Sequence, residues 1–414
     1  MQSGSKKIFY GWWVVLTAAI ALCLGYAPIL VYSFSVFLRS LSQEFHASRS
    51  SISLGFTFAN IMQSVGAPLA GRLVDRFGAR KVILPSTAIF GFVLISFKYH
   101  ATNLWQLYAC FMVLGFMGVG TAPVPYGIVV SRWFDRRRGL ALGLMMAGVS
   151  SGAIAIPAIA QHLIAIRGWR TAYAIVGLMV LGVSIPVVAI FLKDSPAKMS
   201  LLPDGATDMH TRSERRGDEH GLPWLAARKR GTFWLMACAF FLVGASAHAC
   251  VIHLVPMLTD RGVSVEKAAL ASSLLGVAVL IGRVLSGYLL DRFFGPYVAI
   301  FVFGGVTCGI TLFWAGSAGK LALLGAFLVG LGMGAEADII AYLTSRYFGL
   351  HSFGEIFGYL FAAFTLAGAL GPLLMALGFD RTGSYRVPLL FFLLAMIIAT
   401  SLLTRLGPYR YRPA

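Results

Sequence analysis

Apolar runs long enough to cross a bilayer, at 1.5 Å of rise per helical residue, recur along the whole chain between short polar breaks. Twelve spans are expected, at about 10–37, 50–70, 82–99, 104–130, 139–164, 171–192, 231–258, 266–290, 297–316, 321–344, 354–378 and 386–404. The runs exceeding a bilayer's needs imply tilt or projecting ends. The first run, from about Trp12, continues past Phe37 with no small-residue cleavage site, so it reads as a span and not a removable signal. One long polar stretch, 193–230, breaks the series. The expected organisation is therefore a bundle over 1–192, a flexible linker over 193–230 and a second bundle with a short tail over 231–414.

One stretch stands out inside this pattern. Ala269 to Asp291 is apolar or small except for Arg283 until its closing aspartate. Arg283 lies eight residues before Asp291, roughly 12 Å inside that end. An arginine at such depth costs about 2.5–3.5 kcal/mol on insertion scales, and intramembrane charges mark substrate or ion paths. Positions one turn away, Val279 and Gly287, offer it no acid. Its planar fork suits a carboxylate and stays charged at any working pH.

Composition narrows the class. Of 414 residues, 58% are hydrophobic and 12% charged, against about 25% charged in soluble domains. The mean hydropathy is +0.79. A net charge of +18 would suggest nucleic acid on a soluble protein. Here the cations fall mainly between alternate spans: Lys6 and Lys7, then Arg72, Arg76, Arg80 and Lys81, then Arg132, Arg136, Arg137 and Arg138. The linker adds Lys198, Arg212, Arg215, Arg216, Arg228, Lys229 and Arg230, and the tail Arg405, Arg410 and Arg412. The opposite loops carry fewer, among them Arg39, Arg49, Arg167, Arg170, Arg381 and Arg386. This excess makes the linker side cytoplasmic, with both termini inside, in a multi-pass protein of the plasma (cytoplasmic) membrane. Cys23, Cys110, Cys238, Cys250 and Cys308 lie singly in apolar segments and read as packing residues.

The halves repeat. G-R-L-V-D-R at Gly71–Arg76 returns as G-Y-L-L-D-R at Gly287–Arg292, and S-R-W-F at Ser131–Phe134 as S-R-Y-F at Ser345–Phe348. Gly118 and Gly120 return as Gly332 and Gly334. Parallel repeats joined by a central loop put a substrate site at the midplane between them. Residues with a counterpart in both halves hold the fold; polar residues in one half only are site candidates. Arg283 maps onto Ala67, and Glu336 and Asp338 onto Ala122 and Val124, so these three charges are asymmetric.

The motif G-x-x-x-D-R-x-G-x-R-K at Gly71–Lys81, with R-W-F-D-R-R-R-G at Arg132–Gly139 and R-G-W-R at Arg167–Arg170, resembles the major facilitator superfamily. That resemblance covers the whole chain. It implies an all-α membrane fold of twelve helices in two pseudo-symmetric six-helix bundles. Several stretches of the second half resemble its monocarboxylate transporter and oxalate–formate antiporter branch: H-L-V-P-M-L-T-D-R-G at His253–Gly262, G-R-V-L-S-G-Y-L-L-D-R at Gly282–Arg292 and G-M-G-A-E-A-D at Gly332–Asp338. In that branch an arginine of span 8 binds the substrate carboxylate, and Arg283 matches it. Two positions depart. Near Phe364, where oxalate exchangers carry a lysine, span 11 has no cation, which argues against dicarboxylates. Val279 stands where animal monocarboxylate carriers place an aspartate, which removes the obvious proton acceptor.

The expected activity is proton-coupled symport of a small monocarboxylate of the lactate, pyruvate or acetate type, by alternating access. An organic-anion exchanger, an exporter of amphipathic compounds and, remotely, a membrane sensor of organic acids are the alternatives. No Walker-type loop and no catalytic or metal constellation appears, so neither an enzyme nor any cofactor is expected. The expected partners are a small carboxylate, protons and the lipid bilayer, with no nucleic acid, and the protein is expected to act as a monomer. Arg283, Tyr126, Tyr32, Phe361 and Phe364 are the candidate substrate contacts; Tyr126 follows Pro123 and Pro125, which break the helix ladder and turn a side chain toward a cavity. His253, Glu336 and Asp338 are the candidates for proton coupling. The two acids lie roughly 15 and 12 Å from the cytoplasmic end of span 10 and point opposite ways, so only one is expected to meet Arg283. Charge pairs among Asp75, Arg76, Arg132, Asp291, Arg292 and Arg346 are expected to form a cytoplasmic gate, weaker at the second copy.

Overall fold

The computed structural model describes residues 9–205, 221–316 and 319–411. Lys6, Lys7, Arg212, Arg215, Arg216 and Arg412, used above for orientation, lie outside the described residues, as does the middle of the linker, 206–220. Everything regular among the described residues is helical. In chain order the helices are α1 Tyr10–Cys23, α2 Phe34–Glu44, α3 Arg49–Phe77, α4 Ala79–His100, α5 Leu104–Gly118, α6 Pro123–Trp133, α7 Arg138–Met179 and α8 Ile185–Phe191. After the linker come α9 Trp224–Ala227, α10 Gly231–Thr259, α11 Val265–Leu290, α12 Gly295–Trp314, α13 Lys320–Phe348, α14 Phe353–Thr382 and α15 Arg386–Thr404.

Ten helical segments among the described residues are long and apolar enough to cross a membrane. One of these, Arg138–Phe191, is 54 residues long and turns at Gly168, whose φ of 75° belongs to the left-handed region that glycine tolerates. The first and fourth expected spans are broken rather than straight. A π-helical turn at Ala27–Tyr32, opened by Pro28, separates α1 from α2. A 3₁₀ turn at Val119–Thr121 and extended Ala122 separate α5 from α6, so that Pro123 enters at a helix start where its missing N–H costs nothing.

In the first half α1 and α4 pack on α7, and α3 on α5; in the second, α11 and α12 pack on α13, and α10 on α14. The halves meet along two crossings, α3 against α14 and α7 against α11. Both crossings close at the end that carries the linker. A methyl group on Gly71 would overlap the Gly354 carbonyl, and one on Gly139 the Gly287 carbonyl, so backbone lies directly on backbone there. Nearer the middle of the bundle, Ser64 Oγ and Thr365 Oγ1 share a hydrogen bond of 2.9 Å across the first crossing.

The flexible linker expected from composition is, over its described parts, docked on this same end. Asp194 accepts from the backbone N–H of Arg80 in the first turn of α4 at 2.9 Å. Asp204 accepts from the N–H groups of Asp135 and Arg136, each at 2.9 Å. Trp224 stacks on Tyr359 with ring centroids 4.1 Å apart. Composition missed this because two carboxylates, one on the first turn of α4 and one on the turn between α6 and α7, hold a segment that has little apolar content. A second correction concerns the cysteines. Cys250 is buried, but Cys238 and Cys308 are exposed and do not serve as packing residues.

Candidate functional site

α11 and α13 run side by side in close contact. Methyl groups on Gly282 and Gly334 would strike the facing backbone, at Leu331 and Val279 respectively. This approach draws Arg283 and the two acids of α13 into one buried region. Arg283 is 6% exposed, Glu336 0% and Asp338 1%. Arg283 Nε and Nη1, and all four carboxylate oxygens, have no hydrogen-bond partner among the described residues. No ion pair within 4.0 Å joins Arg283 to another described residue, yet both acids lie within its electrostatic reach. The expected meeting of Arg283 with one of the acids is not made as an ion pair among the described residues, and neither carboxylate lies within 4.0 Å of the guanidinium. Burying such groups unpaired costs about 1–3 kcal/mol each, more for charges. A fold bears that cost where a ligand completes the set.

The remaining substrate candidates are spread around the bundle. Tyr126 is buried and Tyr32 half-buried; neither hydrogen-bonds Arg283 among the described residues. Phe361 is buried and its ring centroid lies 5.8 Å from that of Phe364, which in turn lies 5.5 Å from the ring of His248. His253 is held elsewhere. Its Nδ1 is 3.2 Å from Tyr385 Oη and its Nε2 3.1 Å from the Pro372 carbonyl, so it braces α10 against α14 and the start of α15.

At the linker end the rim residues divide. Asp75 accepts from the N–H groups of Gly354 and Glu355, at 3.1 and 3.0 Å, in the first turn of α14. Asp291 accepts from Gly139 and Leu140, at 2.6 and 2.9 Å, in the first turn of α7. Each aspartate thus caps a helix of the opposite half. The geometry does not make the second copy the weaker one. Burial pushes the Asp291 carboxyl up to about 6, against the lowering effect of its two backbone hydrogen bonds and of Arg346.

Arg346 crosses the seam, donating from Nη1 to Asp135 Oδ1 at 2.7 Å and from Nη2 to the Asp135 carbonyl at 2.8 Å. Arg132 stays within its own half, 3.8 Å from Asp75. Arg76 and Arg292 form no cross-seam pair among the described residues; each lies over a ring of its own helix region, Phe77 at 5.2 Å and Tyr288 at 4.3 Å. Both are corrected from gate to rim, because their side chains leave the seam for the aromatic surface beside it. Asp135 and Arg138 were missed. Arg138 donates to Ser345 Oγ across the seam at 2.9 Å. The signal was present: Asp135 is the lone acid of R-W-F-D-R-R-R-G, and its counterpart in the repeat is Gly349.

Comparison with known proteins agrees with this geometry. The family model of the major facilitator superfamily matches residues 18–372. The chain belongs to the major facilitator superfamily. Its mouse relative "Monocarboxylate transporter 11" is 27% identical over 387 residues, covering 91% of this chain and 83% of that protein. Rat "Monocarboxylate transporter 13" is 29% identical over 308 residues, covering 73% and 66%. Among solved structures, the proton:xylose symporter XylE superposes with a TM-score of 0.77 at 16% identity, over 97% of both chains. As a major facilitator protein the chain is a multi-pass integral membrane transporter and not an enzyme.

Proposed function

We propose that this transporter carries small monocarboxylates together with a proton, by alternating access between its two halves. The single observation that supports this reading is the buried Arg283, without an ion-pair partner among the described residues, together with two buried carboxylates that likewise have no partner among them. One fixed guanidinium takes one carboxylate bidentately. Taking up a proton with the anion keeps the transported set neutral. The names of its mouse and rat relatives point to the same cargo class.

In this reading twelve spans cross the membrane, with Arg138–Phe191 crossing twice around Gly168 and α3 as a further span. The linker end faces the cytoplasm, following its excess of cations, and the membrane is the plasma membrane. The trans-capping aspartates and the Arg346–Asp135 pair then form the cytoplasmic gate, closed in the outward-facing arrangement. Phe361, Phe364, Tyr126 and Tyr32 line the path beyond Arg283. His253, as a brace between helices, transmits the movement without itself carrying the proton.

Purified protein in liposomes tests this. Uptake of labelled lactate, pyruvate and acetate should rise when the outside is made acidic and saturate with concentration. Carboxylate counterflow with no response to an imposed pH gradient would assign the exchanger instead.

A further inference from the structure

The site holds one buried cation and two buried acids, and this imbalance carries a consequence. With both acids ionised the buried set would bear a net charge of −1 in a dry region, where an uncompensated carboxylate takes a proton rather than stay charged. One acid is therefore neutral when no substrate is bound. The helix decides which.

α13 is unbroken from Lys320 to Phe348. Residues four apart share a face. Asp338 follows Gly334 by one turn, and Gly334 lies against the backbone of α11 at Val279 and Arg283. Glu336 follows Gly332 by one turn, and Gly332 lies against Val306 of α12. Asp338 thus shares its face with α11, which meets α7 of the first half across the seam, and Glu336 shares its face with α12, which packs on helices of its own half.

We propose that Glu336 stays protonated through the whole cycle and that Asp338 alone takes up and returns the transported proton. This rests on the proton-coupled reading above. In the empty carrier the Asp338 carboxylate balances Arg283, and the sum with neutral Glu336 is zero. A monocarboxylate then takes Arg283 while a proton moves from water onto Asp338, and the sum is again zero. Release reverses both steps, so one proton moves with each anion and no net charge is carried.

The groups around the two acids are consistent with this division. α11 brings Arg283, the one charged group among the described residues in electrostatic contact with either acid. α10 brings His248, whose Nδ1 is taken by the Gly244 carbonyl at 2.9 Å. Tyr126 comes from α6, Arg138 from α7, and Tyr342 and Arg346 from α13 itself. α12 contributes only Tyr297 and Cys308 as titratable groups, and the charged residues of α14 sit at its ends, at Glu355, Asp380 and Arg381.

Infrared spectroscopy of the purified, substrate-free protein tests the assignment without any transport. At about pH 8 the rim carboxyls are ionised, so a carboxylic-acid carbonyl stretch reports a buried neutral acid. The wild type should show this band, carbon-13 labelling of the glutamate carboxyls should shift it, and Glu336→Gln should lose it. A band that is missing from the wild type, or that shifts with labelled aspartate instead of labelled glutamate, overturns the proposal; should Glu336→Gln not fold, the labelled wild-type spectra still decide. In liposomes Asp338→Asn should lose accumulation driven by a pH gradient, and accumulation that persists in it also overturns the proposal. If the wild type moves no carboxylate at all, the cargo reading fails while the infrared result still stands or falls alone.

Discussion

Asp291, the residue that closes α11 at the linker rim, accepts a 2.6 Å hydrogen bond from the backbone N–H of Gly139 in the other half. Asp75 makes the equivalent contact with Gly354 at 3.1 Å. Losing an N-cap carboxylate costs about 0.5–2 kcal/mol. Here the loss falls on the closed gate alone, because the open gate exposes both partners to water. Asp75→Ala combined with Asp291→Ala should therefore raise the open population about tenfold or more. Distances between spin labels on the linker-side ends of α7 and α11 measure it.

The same contact makes the gate sensitive to pH. In the closed gate burial pushes the Asp291 carboxyl up to about 6 from its ordinary 3.8. The closed state therefore binds the proton more tightly than an open, solvated one. Acidifying the linker side from about pH 7 to pH 5 should favour the closed gate, and that preference is lost as pH rises through 6. Label distances recorded across this range should show the shift; Asp291→Asn should reduce it and Asp291→Asn with Asp75→Asn should flatten it, because burial pushes the Asp75 carboxyl up to about 6 as well.

Arg346 and Arg132 are counterparts in the repeat but should differ sharply. Arg346 has a side chain 3% exposed and a cross-seam partner in Asp135. Removing that partner by Asp135→Ala leaves a buried charge, a loss of about 3–5 kcal/mol. Arg132 is a quarter exposed and 3.8 Å from its acid; Arg132→Ala should cost at most about 1 kcal/mol. Thermal melting in detergent separates the two.

Backbone contact at the seam gives a steric test. A side chain at Gly71 has no room beside the Gly354 carbonyl, and neither backbone can rotate away. Overpacking of this kind costs about 1–3 kcal/mol. Gly71→Ala should hold the gate ajar and lower transport about tenfold or more, with a cysteine placed near Ser64 becoming open to alkylation from the linker side.

Much of this was legible beforehand. The repeat between Gly71–Arg76 and Gly287–Arg292 marked the rim, and the isolated charge of Arg283 marked a candidate site that the structure buries. What stayed hidden were relations that only the fold creates. Asp75 and Asp291 looked like partners for arginines, yet they cap helices more than a hundred residues away, since backbone N–H groups leave no trace in a sequence. Glu336 and Asp338 looked like ion-pair partners for Arg283, yet neither lies within 4.0 Å of it among the described residues, since helical phase gives direction but not distance. The linker looked loose because Asp194 and Asp204 hold it by single carboxylates, not by an apolar face.

Arg283 remains the centre of the account, and one comparison addresses it directly. Counterflow of labelled lactate is measured in liposomes for the wild type, Arg283→Lys and Arg283→Gln at equal protein content. Losing both the charge and the fork should abolish exchange in the glutamine variant, while lysine, a point charge without the fork, should retain a small fraction. Unchanged lactate counterflow in Arg283→Gln would contradict the account.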